Sequence, residues 1–271
     1  MKTNKFAIPA AIIFILFISS FKNPYVGLDS STIENSVVEI SDEVFCSKYE
    51  VSNQLYNTFL HDLKSNNRLE DFGIAQIDST GWVRKPVYFE AMVHEYHRAE
   101  KYANYPVVNI SYEGAALFCD WLTKKYNSFP DRKFKNVEFY LPGKEEWTLA
   151  ASGKSKDAVY SCGNSLVNEK GMQMANYRRT DIPLGLDEGD KTIDIGSAVS
   201  VGEILAPVKS YWENDLGVYN LSGNAAEMIS EKGIMKGGSF KDESEQLKID
   251  SQQIYTEPAS FIGFRYFMRK K

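Results

Sequence analysis

Apolar positions along the chain change period several times, and each change marks a different element. The stretches SVVEIS and EVFCSKYEVS set Val37, Ile40, Val44 and Cys46 among polar neighbours, an alternation that predicts two strands. At Ser52 the period lengthens. Leu55, Phe59, Leu60 and Leu63 recur at helical spacing through SNQLYNTFLHDLKSNN, with Ser52 placed to cap the helix. Regularity is lost from residue 66 to 104, which predicts a long, partly ordered excursion carrying WVRKPVYFE. A second helix is expected after YPVVNIS: Ser111 stands at its cap, and Ala115, Phe118, Leu122 and Tyr126, with Trp121, form a heavy apolar stripe. In LPGKEEWTLAAS, Pro142 suits a first helical turn, and Glu145 and Glu146 lie near the positive end of the helix dipole.

From about residue 153 to 212 the chain reads as loop, punctuated by glycines, and the last third alternates short strands with turns. No internal repeat or low-complexity tract is present. A few helices flanking short strands, joined by long loops, imply a compact α+β domain rather than a βαβ sheet. The backbones of such loops need partners other than regular ladders, and bound ions or water are the usual ones.

The N-terminus has a different pattern. Lys2 and Lys5 precede the apolar run FAIPAAIIFILFISSF, residues 6–21, which Lys22, Asn23 and Pro24 break. Its shortness and Pro9 favour a cleaved signal peptide over a membrane span, while the lack of a clean A-x-A site leaves an uncleaved anchor open. Residues 1–25 are thus assigned to export or anchoring, 26–39 to a polar linker and 40–271 to one domain, with membrane attachment through residues 6–21 as the anchor alternative. The bulk of the protein is expected in the periplasm, outer membrane or cell surface.

Composition excludes more than it assigns. At 43% hydrophobic and 13% aromatic, the chain is too apolar for disorder. A formal charge of -5 and a pI near 5.4 offer nothing to a nucleic acid. Three cysteines are an odd number for an oxidising compartment. Cys119, beside Phe118 and Trp121, reads as a buried small hydrophobe, and a disulfide between Cys46 and Cys162 is left open.

The order of segments carries a resemblance. YEVSNQLYNTFL, YPVVNISYEGAALFCDWL, FYLPGKEEWTLAA, NDLGVYNLSGNAAEM, MKGGSF and GFRYF occur in the sequence and order of the formylglycine-generating enzymes, the sulfatase-modifying factor domain, over about residues 40–268. The resemblance implies an α+β fold of low regular secondary structure with long loops, related to C-type lectins. Within that family ANYRRTD and APVKSYWENDLGVYNLSGN are similar to gliding-motility lipoproteins of type IX secretion systems, although the chain lacks their lipobox cysteine.

The family's catalytic members bind copper through two cysteines shortly after the GGS block, and here no cysteine lies between Gly237 and Lys271. Thiolate is the soft ligand copper(I) needs, and a carboxylate such as Glu243 does not replace it. The iron-binding branch uses three histidines. His61, His94 and His97 are all this chain has; the HEYH spacing suits two ligands on one helical face, but exposed loop histidines are the reading preferred here. Glu145 and Glu146 read as capping residues rather than an acid–base pair, Asp242, Glu243 and Glu245 as a solvated run, and Tyr211, Trp212, Tyr255, Phe261 and Phe264 as core. The diglycine of MKGGSF lacks the lysine and spacing of a phosphate loop and reads as a tight turn.

One site remains. In the enzymes the block matching NDLGVYNLSGNAAEM wraps a calcium ion with one amide, two carbonyls and a carboxylate, which the resemblance places on Asn220, Gly223, Ala225 and Glu227. Hard oxygen donors suit calcium, and the alternative is a turn held by asparagine hydrogen bonds alone. A second calcium site implied by the family begins at Asn176, with the carbonyl of Tyr177. The expected protein is an exported, non-catalytic domain with envelope protein partners. The alternatives are a metal-dependent oxidoreductase of the same fold and a lectin-like module. The resemblance predicts that substituting Glu227 lowers thermal stability and its calcium dependence, measured by melts in calcium and in chelator, without removing a catalytic group.

Overall fold

The computed structural model describes residues 27–84, 89–178 and 204–271. The two predicted N-terminal strands form as β1 (Val37–Ser41) and β2 (Val44–Ser47). They join β3 (Val137–Tyr140) and β8 (Phe267–Lys270) in an antiparallel sheet of order β1-β2-β8-β3, in which Cys46 faces Phe267 and Phe139 faces Met268. A second sheet, ordered β6-β5-β4-β7, is built from β4 (Ala226–Met228), β5 (Ile234–Lys236), β6 (Gln253–Ile254) and β7 (Ile262–Gly263), with β4 and β7 parallel. The α+β expectation therefore holds.

The two helices expected from periodicity pack together. The helix α2 (Asn53–Ser65) starts where Ser52 Oγ accepts the Leu55 N–H, and α5 (Tyr112–Ser128) where Ser111 Oγ accepts the Gly114 N–H. Phe59 and Leu63 of α2 meet Phe118, Trp121 and Leu122 of α5 in the main core, which also takes Phe264 and Tyr266. Side chains of this size each contribute about 1.5–3 kcal/mol on full burial, so this stripe supplies much of the folding energy. Asp62 ties the helices, accepting the Trp121 indole N–H at 3.0 Å and meeting Lys125 Nζ at 3.5 Å.

Several expectations need correction. The presumed linker holds α1 (Ser30–Asn35), capped by Asp29, whose Oδ1 accepts the Thr32 N–H at 2.7 Å, and Ile33 is 2% exposed in the main core. A single helical turn with one core residue has no periodicity to detect. The excursion at 66–104 is also more ordered than expected. It contains α3 (Leu69–Ala75), α4 (Glu90–Glu95) and two 3₁₀ turns; Ala75, Trp82 and Tyr96 are buried there, while α4 itself buries no residue. Pro142 lies outside its helix, because Gly143 is the cap of α6 (Lys144–Ser152). Glu146 does cap, accepting the Gly143 N–H at 2.9 Å, while Glu145 stays exposed. The diglycine follows β5 as a turn, with φ of 85° at Gly237 and 64° at Gly238. The apolar run at 6–21 lies outside the described residues; among those described, no helix is long and apolar enough to cross a membrane.

Candidate functional site

The segment from Asn214 to Met228 turns repeatedly before it becomes β4. Asn214 Oδ1 accepts the N–H groups of Leu216 and Val218, both at 3.1 Å, closing the first turn. Asn220, Gly223 and Asn224 all have positive φ, at 54°, 88° and 64°. At Gly223 the requirement is steric as well as conformational, since a Cβ there would lie 2.4 Å from the Asn176 carbonyl oxygen.

These turns deliver Glu227 to the interior, where it is 1% exposed. Its carboxylate accepts Arg265 Nε on both oxygens at 2.8 Å and the Trp147 indole N–H on Oε2 at 2.7 Å, and Arg265 Nη2 lies 2.6 Å from Oε1. Arg265, itself fully buried, also donates from Nη1 to the carbonyl of Ser47 (3.0 Å) and from Nη2 to that of Tyr219 (2.7 Å). Beneath Trp147 lies a second buried cation. Lys236 Nζ sits 4.9 Å from the Trp147 ring centroid and donates to the carbonyls of Ile249 (2.8 Å) and Ser251 (2.9 Å); burial, with Lys144 nearby, pulls its pKa down to about 8.

Glu50 is the residue that reading the sequence missed. It is 2% exposed and accepts Asn220 Nδ2 (2.9 Å), Asn224 Nδ2 (2.8 Å) and, more distantly, the Ala225 N–H (3.4 Å). Burial pushes its carboxyl up to about 8 against the pull of Arg265. Its place in KYEVSNQ, a polar residue just before a helix cap, resembles any exposed strand end. The one available signal was its membership of the YEVSN block.

The histidines do not form a pair. The helix α4 ends at Glu95, so helical spacing does not carry from His94 to His97. His94 is exposed, whereas His97, expected in an exposed loop, is 7% exposed. One ring nitrogen of His97 meets Asn53 Oδ1 at 3.0 Å and the other accepts the Trp82 indole N–H at 3.4 Å, which makes it a neutral imidazole donating from Nδ1. Among the described residues no three His, Cys, Asp or Glu side chains converge as a metal cluster. The acidic run is only partly solvated, because Asp242 Oδ2 accepts both the N–H (2.9 Å) and the hydroxyl (2.6 Å) of Ser239. Trp212, expected in the core, is 44% exposed.

Residues 25–270 match the FGE-sulfatase family, described as the sulfatase-modifying factor enzyme 1-like domain. The chain belongs to the FGE-sulfatase family. Over 147 residues it is 29% identical to the inactive C-alpha-formylglycine-generating enzyme 2 of Bos taurus, covering 51% of this chain and 39% of that protein. Over 128 residues it is 28% identical to the formylglycine-generating enzyme of Thermomonospora curvata, covering 47% and 34%. It therefore spans well under half the length of these relatives. The crystal structure of CarF shares the fold, with a TM-score of 0.54 at 20% identity over 91% of this chain and 94% of that one.

Calcium, implied for this FGE-sulfatase domain at Asn220, Gly223, Ala225 and Glu227, would draw its one carboxylate from Glu227, whose oxygens are already in use. A carboxylate offers about four lone-pair positions, and Arg265 and Trp147 occupy those of Glu227, with a guanidinium nitrogen 2.6 Å from Oε1. Glu227 in this arrangement does not fit a calcium ligand. Asn176, assigned to a second calcium site, joins the same cluster: its Nδ2 donates to Asn224 Oδ1 (3.2 Å), and its carbonyl accepts the Asn224 N–H (2.8 Å). The carbonyl of the adjacent Tyr177 accepts from Gln173 Nε2 at 3.5 Å.

Two predictions follow from this geometry. Glu227→Gln leaves the Arg265 charge uncompensated and should cost about 3–5 kcal/mol in chemical denaturation, by the same amount in calcium and in chelator. For His97, burial first and Arg98 second lower the pKa to about 3, against 6.5 in the unfolded chain. The folded state then binds fewer protons than the unfolded between those values, so its contribution to stability is complete above about 6.5 and is lost as the pH falls toward 3. His97→Gln should flatten that part of a Tm-against-pH curve.

Proposed function

We infer that this chain is a non-catalytic FGE-sulfatase domain that serves as a structural or binding component of the cell envelope. The placement of its thiols carries the reading. Cys46, Cys119 and Cys162 are all free and lie in three separate apolar clusters, and none follows Gly237. Burial raises all three thiol pKa values, to about 12 at Cys46 and about 11 at Cys162, so the thiolate pair that copper(I) requires is not assembled. The relative described as inactive offers a precedent for the domain without that chemistry.

The envelope assignment rests on the basic-then-apolar pattern of residues 1–25, which lies outside the described residues. Similarity of ANYRRTD and APVKSYWENDLGVYNLSGN to gliding-motility lipoproteins points to protein partners in motility or type IX secretion. Affinity capture of the full chain from its native envelope should recover secretion or motility components; a lone soluble monomer counts against the envelope role. Copper-loaded protein given oxygen and a cysteine peptide should yield no formylglycine by mass spectrometry, and turnover there would overturn the non-catalytic reading.

A further inference from the structure

The strand β6 is an open edge of the second sheet. Its register with β5 pairs Ile234 with Ile254 and Met235 with Gln253, and the Tyr255 N–H donates to the Gly233 carbonyl at 2.9 Å. Bonds to β5 therefore fall on Gln253 and Tyr255, and the N–H and C=O of Ile254, between them, point away from the sheet. Among the described residues no loop or turn hydrogen bond reaches them. The Ile254 side chain is 77% exposed, more than any other large apolar side chain among the described residues. The opposite edge differs: a Cβ on Gly263 of β7 would lie 2.6 Å from the Val107 carbonyl oxygen, so neighbouring backbone closes it.

Beside this edge lies a cavity of about 190 Å³, whose lining includes Met235, Tyr255, Pro258, Phe261 and Ile262. Met235 and Tyr255 share one face of the sheet, since side chains alternate along a strand and Met235 is paired with Gln253. A strand laid along Ile254 would set every second side chain over that face, where the cavity has room for a branched aliphatic group. Acids stand at both ends of the edge, Asp250 before it and Glu257 after it, and both are exposed. Arg84 lies 3.6 Å from Glu257 but is bound more closely to Asp78, at 2.5 Å. Free peptide groups with a pocket for alternate side chains are the features of strand addition. A second copy fits this edge poorly: antiparallel pairing of β6 with itself about Ile254 would bring Glu257 beside Asp250 of that copy, and like charges across strands repel.

We propose that β6 is a docking edge for an extended segment of another protein, running antiparallel to it, with aliphatic residues at alternate positions on the cavity face and a basic residue at each end. The edge stands open, so nothing in the domain has to leave for the segment to bind. Few hydrogen bonds form at so short an edge, and the cavity and the charged ends add to them. The inference goes beyond the non-catalytic reading and does not need it, since it uses no thiol and no envelope component.

The probe is a fluorescently labelled, end-capped Lys-Thr-Val-Thr-Val-Thr-Lys peptide, titrated against the full chain by anisotropy, and saturable binding is expected. With its valines on the cavity face, the threonine N–H groups face β6. N-methylation of the central threonine should then weaken binding at least about tenfold, and N-methylation of a valine, whose N–H faces away, by less than about threefold. Ile254→Pro, which removes an N–H that β5 does not use, should match the loss from the methylated threonine, while Ile254→Ala should stay within about fivefold of wild type. Glu257→Lys should weaken binding as well. No saturable binding to wild type, or equal losses from the two methylated peptides, overturns the proposal. A dimer in sedimentation that Ile254→Pro dissociates assigns the edge to a second copy and also overturns it. If Ile254→Pro does not fold, the two methylated peptides, which leave the protein intact, decide.

Discussion

Glu227 and Arg265 face each other with almost no water in reach, and much of the domain is arranged around that contact. Moving each charge inside costs several kcal/mol, which only close pairing and complete hydrogen bonding offset. The pair is close, Trp147 adds a bond to the carboxylate, and two carbonyls accept from the guanidinium. The partners come from distant parts of the chain. Glu227 belongs to β4 of one sheet, Ser47 to β2 of the other, and Trp147 to α6. One ion pair therefore holds both sheets and a helix in register, and Gly223 is the turn that lets the chain reach it.

Around this centre the loops are organised by side chains. Asparagine carries both a donor and an acceptor in one short amide, so it substitutes for a neighbouring strand where no ladder exists. Asn214 closes a turn on itself, while Asn176, Asn220 and Asn224 hold residues 204–208. Glu50 sits behind two of these amides. Burial raises the Glu50 pKa, and Arg265, paired to Glu227, only partly offsets it. The protein's own amides and guanidinium satisfy part of the loop backbone.

This organisation separates fold from chemistry. The family's blocks remain where they shape the core: GFRYF carries Arg265 and Phe264, NDLGVYNLSGNAAEM carries the asparagines and Glu227, and YEVSN carries Glu50. The three thiols lie apart, each in its own apolar cluster.

Local pattern was enough for α2 and α5, since thirteen and seventeen residues hold several turns of periodic apolar positions and each helix starts at a serine cap. It was also enough for β1 and β2, and six short blocks in order were enough for the family. Pattern said nothing of α1, of α3 and α4 within the excursion, or of the burial of His97, because one or two buried residues per turn leave no period to read. Glu227 was marked by its block, but its partner was not: Arg265 lies thirty-eight residues further on, and Glu50 one hundred and seventy from Asn220. The sequence alone determined which side chains could carry charge or an amide into the interior. Only the tertiary structure decided which of them meet, because a buried charge is stabilised by whatever the fold brings within about 3 Å, and that choice is made across the whole chain.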